Sequence, residues 1–275
     1  MSSKTYKPLL PLKTTSKVMD QFGFLPLSVF RPEPRPLWDE IIEDDGDTLG
    51  QTRRSSDAKY LPNLRYSRFH PHLAEVCIRY WSLEGELVVD PFAGRATRGV
   101  VATSLGRHYE GYEVALETYA EANARVSALD SSSLVHLGDG CQMTETEPES
   151  ADMVFTCPPY HRLERYESAD GQLSDLPTYE AFLAKMGEAG HSIKRVLKPG
   201  RWAVVVVADW RDGKAFRVFH VDLINIMRDR VGMDVHDIIV VHNNSPFAAL
   251  QAGKVAAKRY TSKVHEYALV FRRPE

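Results

Sequence analysis

Cysteine is scarce in this chain. Its 275 residues hold three, Cys77, Cys141 and Cys157, too widely spaced for a CxxC pair or a metal-ligand cluster. That excludes a disulfide-built secreted scaffold, and a reducing cytoplasm is the expected compartment. No apolar run approaches the roughly 20 residues needed to cross a bilayer. The opening "MSSKTYKPLLPLKTTSK" has lysines but neither a long apolar centre nor a small-residue cleavage site, so no secretory signal is expected. Ten histidines form no HxxxH or comparable pattern, so no metal is expected. Positive charge is not in excess either. The net charge of −3 excludes a chain coated in cations, though a local basic stripe can still bind nucleic acid.

The charge present is uneven. Residues 1–19 carry four lysines and no acid, residues 39–47 are acidic, and 254–263 are basic again. Each run reads either as a solvated surface or as a contact region. Residues 1–60 lack clear periodicity, and the proline-rich "LPLSVFRPEPRPLWDE" should run extended over the surface. From residue 70 the pattern becomes regular. Helical spacing marks 71–82, 96–106, 116–129, 178–197 and 216–231. Strand patterns mark 86–90, 108–114, 133–137, 151–155, 201–208, 234–242 and 265–273. Seven strands alternating with helices predict an α/β fold, a doubly wound and mostly parallel sheet with helices on both faces.

Such sheets bind ligands beyond the carboxyl ends of their strands. The first strand ends in "DPFAGRATRG", residues 90–99, where Gly94 permits a tight turn and a helix start offers unpaired N–H groups. The second ends in Glu113, placed to accept hydrogen bonds from ribose hydroxyls. The third runs into "GDG", where Asp139 can accept from an adenine amino group. The fourth runs straight into "TCPPY", residues 156–160, a stiff elbow that neither a helix nor a strand ladder accommodates. Any one of these reads equally as a turn glycine or a loop acid. Four in succession do not.

These residues resemble the class I S-adenosylmethionine-dependent methyltransferases, and among them the DNA amino-methyltransferases. The likeness covers roughly residues 65–272. "DPFAGRATRG" is similar to the family's cofactor motif and "TCPPY" to its catalytic motif, (Asp/Asn/Ser)-Pro-Pro-(Tyr/Phe/Trp). "SRFHPHLAEVCIRYWS" is similar to the segment that lines the methionine end of the cofactor pocket, and its upstream position resembles enzymes of the cytosine-N4 type. The whole chain also looks like phage-encoded DNA methylases.

The resemblance implies S-adenosylmethionine as cofactor, held by Phe69, His70, Asp90, Pro91, Phe92, Ala93, Gly94, Glu113, Asp139 and Cys157. It implies DNA as partner and catalysis by Cys157, Pro158, Pro159 and Tyr160. An exocyclic amino nitrogen is a poor nucleophile, and acceptors on its hydrogens raise its reactivity. Cys157 and the carbonyl of Pro158 would be those acceptors, with the second proline fixing the carbonyl's direction. Tyr160 would stack on a flipped-out base.

The chain departs from the pattern twice. Arg95-Ala96 stands where small residues are usual; Ala96 is tolerable if its backbone is helical, and Arg95 must point away from the cofactor or toward a phosphate. Cys157 is a weak acceptor. It reads as a stand-in for serine, as a sign of a different substrate, or as a mark of a degenerate enzyme. Arg162 and Arg165 after the elbow read as strand contacts or as part of a polar lid. Lys254, Lys258 and Arg259 read as phosphate contacts or as a plain surface loop. The expected organisation is an extension over 1–64, with possible DNA contact, and a methyltransferase domain over 65–275. The expected activity is amino-methylation of DNA, cytosine N4 ahead of adenine N6. The alternatives are an RNA or protein methyltransferase with a similar elbow and a cofactor- or DNA-binding module without activity.

Overall fold

The computed structural model describes residues 15–22, 24–33, 38, 69–162, 171–242 and 252–275. Arg165 therefore lies outside the described residues, as does most of the 1–64 extension.

In chain order the elements are α1 (Thr15–Phe22), β1 (Val29–Phe30), α2 (Pro71–Trp81), β2 (Leu87–Asp90), α3 (Thr97–Ser104), β3 (His108–Glu113), α4 (Leu116–Leu129), β4 (Leu134–Leu137) and β5 (Ala151–Thr156). There follow α5 (Tyr179–Val196), β6 (Leu197–Val207), the hairpin β7 (Trp210–Asp212) and β8 (Ala215–Arg217), α6 (Phe219–Asn225) running into a π-helical turn at Ile226–Val231, β9 (Asp234–His242), α7 (Ala252–Ala257) and β10 (His265–Arg272).

Eight strands form one sheet in the order β1-β9-β10-β6-β5-β2-β3-β4. The pairs from β6 to β4 are all parallel, and β10 runs antiparallel between β6 and β9. The mostly parallel, doubly wound sheet expected from the sequence is present. Its eighth strand is the addition: Val29 and Phe30 pair in parallel with Val240 and Val241. The stretch around them runs extended with Leu25, Leu27 and Val29 exposed, as the proline-rich composition predicted. It is nonetheless fastened to the domain. Val240 N–H donates to the Ser28 carbonyl at 2.8 Å, and the Trp38 indole donates to Glu75 at 2.7 Å.

The core lies on both faces of the sheet, as period-2 alternation requires. On β6, Ala203, Val205 and Val207 face one way and pack with Phe182, Met186 and Ile193 of α5. Val204 and Val206 face the other way with Cys77 and Ile78 of α2 and Val100 of α3. All six residues of β5 are buried, and each large apolar side chain so covered contributes about 1.5–3 kcal/mol. The helix ends are built locally. Pro71 opens α2, where a missing N–H costs nothing. The Thr178 hydroxyl accepts from Ala181 N–H at 3.1 Å to cap α5, and Lys194 and Arg195 sit in its last turn, where cations oppose the helix dipole.

The sheet's order reverses between β2 and β5. From there the chain proceeds to β3 and β4 on one side and to β6 on the other. The loops after Asp90 and Thr156 therefore leave neighbouring strands at the same edge of the sheet, where such folds open a crevice.

Candidate active site

Asp90 is the centre of the crevice floor. Its side chain is fully buried, and four donors fill its two oxygens. Phe92 N–H (3.1 Å) and the Thr156 hydroxyl (2.7 Å) donate to Oδ1. Arg98 Nε (2.7 Å) and the Tyr109 hydroxyl (3.1 Å) donate to Oδ2. A carboxylate has about four lone-pair sites, so none remains for a ligand. Asp90 ties β2, β3, β5 and α3 together.

Arg98 is itself buried. It also donates to the Phe92 carbonyl at 2.6 Å and lies 4.9 Å from the centre of the Phe69 ring. Burial alone would loosen Arg98's proton; Asp90, then Cys157 and Tyr109, outweigh it and hold the charge. Burial, and then Asp90, push the Tyr109 hydroxyl well above its ordinary range, so it stays a neutral donor. Gly99 makes room for that ring: a Cβ there would sit 2.5 Å from it.

The loop above the floor departs from the expected backbone. Ala96, at the N-cap of α3, has φ 56° and ψ 32°, the left-handed region rather than the helical one. An alanine there costs about 1–2 kcal/mol that glycine would not. Arg95 turns away from the crevice and binds Glu121 through Nη2 at 2.6 Å. Pro91 and Ala93 are buried, Phe92 and Gly94 partly so, and Ala93 N–H donates to the Tyr112 carbonyl at 2.9 Å. Opposite, Gly140 lies so close that a Cβ would stand 1.7 Å from the Pro91 carbonyl oxygen. The second glycine of "GDG" is thus a close-approach position joining the loops after β2 and β4.

Glu113 and Asp139 stand at the same edge, at and just beyond the ends of the paired strands β3 and β4, and together with the Gly94 turn frame the expected ligand hollow. Burial raises the Glu113 carboxyl, and the N–H groups of Ala115, Val114 and Gly94 partly offset that. Asp139 accepts from Cys141 N–H at 2.8 Å through Oδ1, while its Oδ2 lies 4.0 Å from Lys185. Nothing lies within 4 Å of a Cβ built on Gly94. Phe69 packs edge-on to Phe155 with ring centres 5.5 Å apart, and exposed His70 begins α2 with its carbonyl accepting from Ala74 N–H at 3.1 Å.

The elbow follows β5 directly. Cys157 and Pro159 are partly exposed, and Pro158 is buried. Tyr160 is only 8% exposed, less than an open stacking platform requires. Its ring meets Trp210 at 5.3 Å in a T-shaped contact. Trp210 in turn touches Tyr179 (5.9 Å), Phe182 (6.4 Å) and Phe219 (5.6 Å). His161 is also buried and sends Nε2 to the Leu176 carbonyl at 2.8 Å. Two polar atoms in this aromatic group are buried without a hydrogen-bond partner among the described residues, Trp210 Nε1 and His161 Nδ1.

Sequence reasoning missed Trp210, whose signal was an aromatic immediately beyond a buried strand. It also missed the dyad beside it, in which Asp209 accepts from His220 Nδ1 at 2.8 Å and His220 stacks on Tyr267 at 4.0 Å.

The residues expected at DNA are less concentrated. Arg162 is exposed and donates to the Pro177 carbonyl, so it braces the elbow against the chain before α5. Lys258 and Arg259 are exposed just after α7. Lys254 lies on α7, with its side chain outside the described set.

Comparison with known proteins agrees with this architecture. A curated relative, the type II methyltransferase M.MthZI of Methanothermobacter thermautotrophicus, is 25% identical over 157 residues, 50% of this chain and 44% of that protein. The chain thus matches less than half the length of that relative. Among solved structures, TrmN from Thermus thermophilus aligns over 74% of this chain and 49% of its own, with TM-score 0.51 and 18% identity. The [4+2]-cyclase SpnF aligns over 74% and 82%, with TM-score 0.53 and 18% identity. At such identities both show a shared fold alone. A family model described as DNA methylase matches residues 48–124 and 151–275, which take in both the Asp90 loop and the elbow, and the chain belongs to that family.

Proposed function

We propose that the protein moves a methyl group from S-adenosylmethionine to an exocyclic amino nitrogen of a DNA base, cytosine N4 ahead of adenine N6. The observation that carries this reading is the joint between the two loops. Thr156, the residue before the elbow, donates to Asp90, the residue before the cofactor turn. One buried carboxylate thus fixes the donor side and the acceptor side of a transfer at one crevice. Family membership supports DNA as substrate, and the partial match to a type II methyltransferase points the same way.

The hollow suits the cofactor chemically. Gly94 leaves open space at the turn, Gly140 lets the opposing loop close in, and Glu113 and Asp139 offer carboxylates for ribose and adenine donors. S-adenosylmethionine held there would supply an electrophilic methyl group on a cationic sulfur. The chain's part is to make the amino nitrogen nucleophilic. Cys157 Sγ and the Pro158 carbonyl accept its hydrogens, and preorganised acceptors favour the positive charge that develops on nitrogen. A thiol accepts weakly, and a lost hydrogen bond is worth about 0.5–1.5 kcal/mol. Cys157 would therefore slow the step by roughly tenfold at most rather than silence it. On this reading the base settles at Tyr160, in the place its aromatic neighbours now crowd. The unpaired Trp210 N–H would donate to an acceptor on the base edge.

Labelled cofactor incubated with unmodified DNA and with RNA, followed by nucleoside mass analysis, tests the proposal. N4-methylcytosine in DNA is expected; label confined to RNA, or in neither pool, overturns it. In the same assay Tyr160→Ala should lower transfer by about 5- to 150-fold, the value of one base stack, with cofactor affinity retained. Undiminished transfer would remove the stacking role.

A further inference from the structure

Beyond the sheet's carboxyl edge stands a feature that the sequence reading left unassigned over 209–215 and began as a helix at 216. Residues 210–217 fold as the hairpin β7–β8, with Trp210 paired to Arg217 and Asp212 to Ala215. It begins at the residue whose ring covers Tyr160. Its outer face is basic, with Arg211 and Lys214 exposed. The segment after α7 comes to the same face. The Arg211 guanidinium lies 3.5 Å from the centre of the Tyr260 ring and 4.8 Å from that of Phe216, and Lys263 Nζ lies 4.7 Å from Phe216. Lys258 and Arg259 are exposed on the turn leading into Tyr260.

We infer that this hairpin and the 258–263 segment form one surface that grips the phosphate backbone of the DNA beside the target base, a reading that rests on the proposed DNA methylation. Charge is the first argument. Among the described residues, none of Arg211, Lys214, Lys258, Arg259 and Lys263 pairs with a carboxylate, and the hairpin's acid, Asp212, already holds Arg217 at 3.3 Å. Five uncompensated cations gathered in a chain of net charge −3 are a local field for a polyanion.

Geometry is the second argument. Arg211 is exposed with its guanidinium carbon over the Tyr260 ring, and a guanidinium's N–H donors match phosphate oxygens two at a time. Stacking also restrains the side chain beforehand, which lowers the entropy lost on binding. Position is the third. A flipped nucleotide needs its flanking phosphates held, and Trp210 places this surface at the lip of the crevice where Tyr160 sits. An acidic peptide would satisfy the charge alone, but not the adjacency to a base-sized aromatic pocket.

The test is a triple variant, Arg211→Gln with Lys214→Gln and Lys263→Gln, compared with the unaltered chain for binding a short unmodified duplex across a series of salt concentrations. Each lost phosphate contact should reduce the slope of log affinity on log salt by about 0.9. A fall of about 2–3 in slope is therefore expected, with cofactor affinity and thermal midpoint unchanged. Arg211→Lys alone should recover only part of the affinity, because an ammonium lacks the fork.

An unchanged slope in a variant of a protein that still methylates DNA overturns this inference and leaves the proposed activity standing. A wild-type chain that neither binds the duplex nor methylates it overturns the activity itself, and this surface with it. Equal loss of cofactor affinity in the triple variant would show a folding defect and overturn the assignment of these residues to DNA.

Discussion

The two halves of the crevice are built on opposite terms. On the cofactor half the buried charges are answered. Asp90 receives four donors, Arg98 and Tyr109 spend themselves on it, and Glu113 and Asp139 each accept backbone N–H groups. On the elbow half, buried Trp210 Nε1 and His161 Nδ1 have no partner among the described residues, and Tyr160 is covered by the Trp210 ring. Buried polar atoms are nearly always hydrogen-bonded, so unanswered ones call for an explanation, and the proposed base would supply one for Trp210. The difference teaches that the floor under the first loop is tied by the chain's own side chains, whereas the aromatic group beyond the elbow keeps polar atoms those side chains do not answer.

The comparison is broken most directly at Asp90. Asp90→Asn should strand the Arg98 charge in the interior and cost about 3–5 kcal/mol, read from urea unfolding. Adding Arg98→Met should return most of it. A loss below about 1 kcal/mol would show that the network is not the keystone described. A middle-sized effect is expected at Trp210→Phe, which deletes an unpaired donor and a little volume. Those two changes oppose each other in stability, so unfolding should shift little. Transfer to DNA should fall by about two- to tenfold, the worth of one hydrogen bond to the base, while cofactor affinity holds. A large loss of stability with normal transfer would mean that the indole is ordinary core. The smallest effect is expected at Ala96→Gly. Relief of a left-handed alanine should raise stability by about 0.5–1 kcal/mol, measured as a higher urea midpoint; a lower midpoint would contradict the backbone geometry at that turn.

Much of this could be read from residue patterns, and the failures have physical reasons. The buried strands were legible because "AVVVV" is apolar without interruption and "ADMVF" apolar but for Asp152, as parallel strands covered on both faces tend to be. The crevice loops were legible because the strand ends fall where the fold places ligands. The role of Asp90 was not, because its partners Arg98, Tyr109 and Thr156 lie 8, 19 and 66 residues away in sequence. A carboxylate's neighbours decide whether it is free, and neighbours of that separation appear only on folding. Ala96 was expected to be helical, but it falls one residue before α3, where the chain must still turn. The hairpin was missed because 209–215 carried no assigned pattern and its last two residues, Phe216 and Arg217, were read into a helix over 216–231, although Asp212-Gly213 is a hairpin-turn signal and Gly213 has φ 60°. Its strands are three residues long and carry no alternation to outvote the helix that follows. Val29–Phe30 was missed for the same reason, since two residues make no pattern.

Trp210 has a consequence of its own. It opens the hairpin, and its ring leans on Tyr160. The first residue of the hairpin and the last of the elbow are thus packed ring against ring, so a displacement of either must be accommodated by the other.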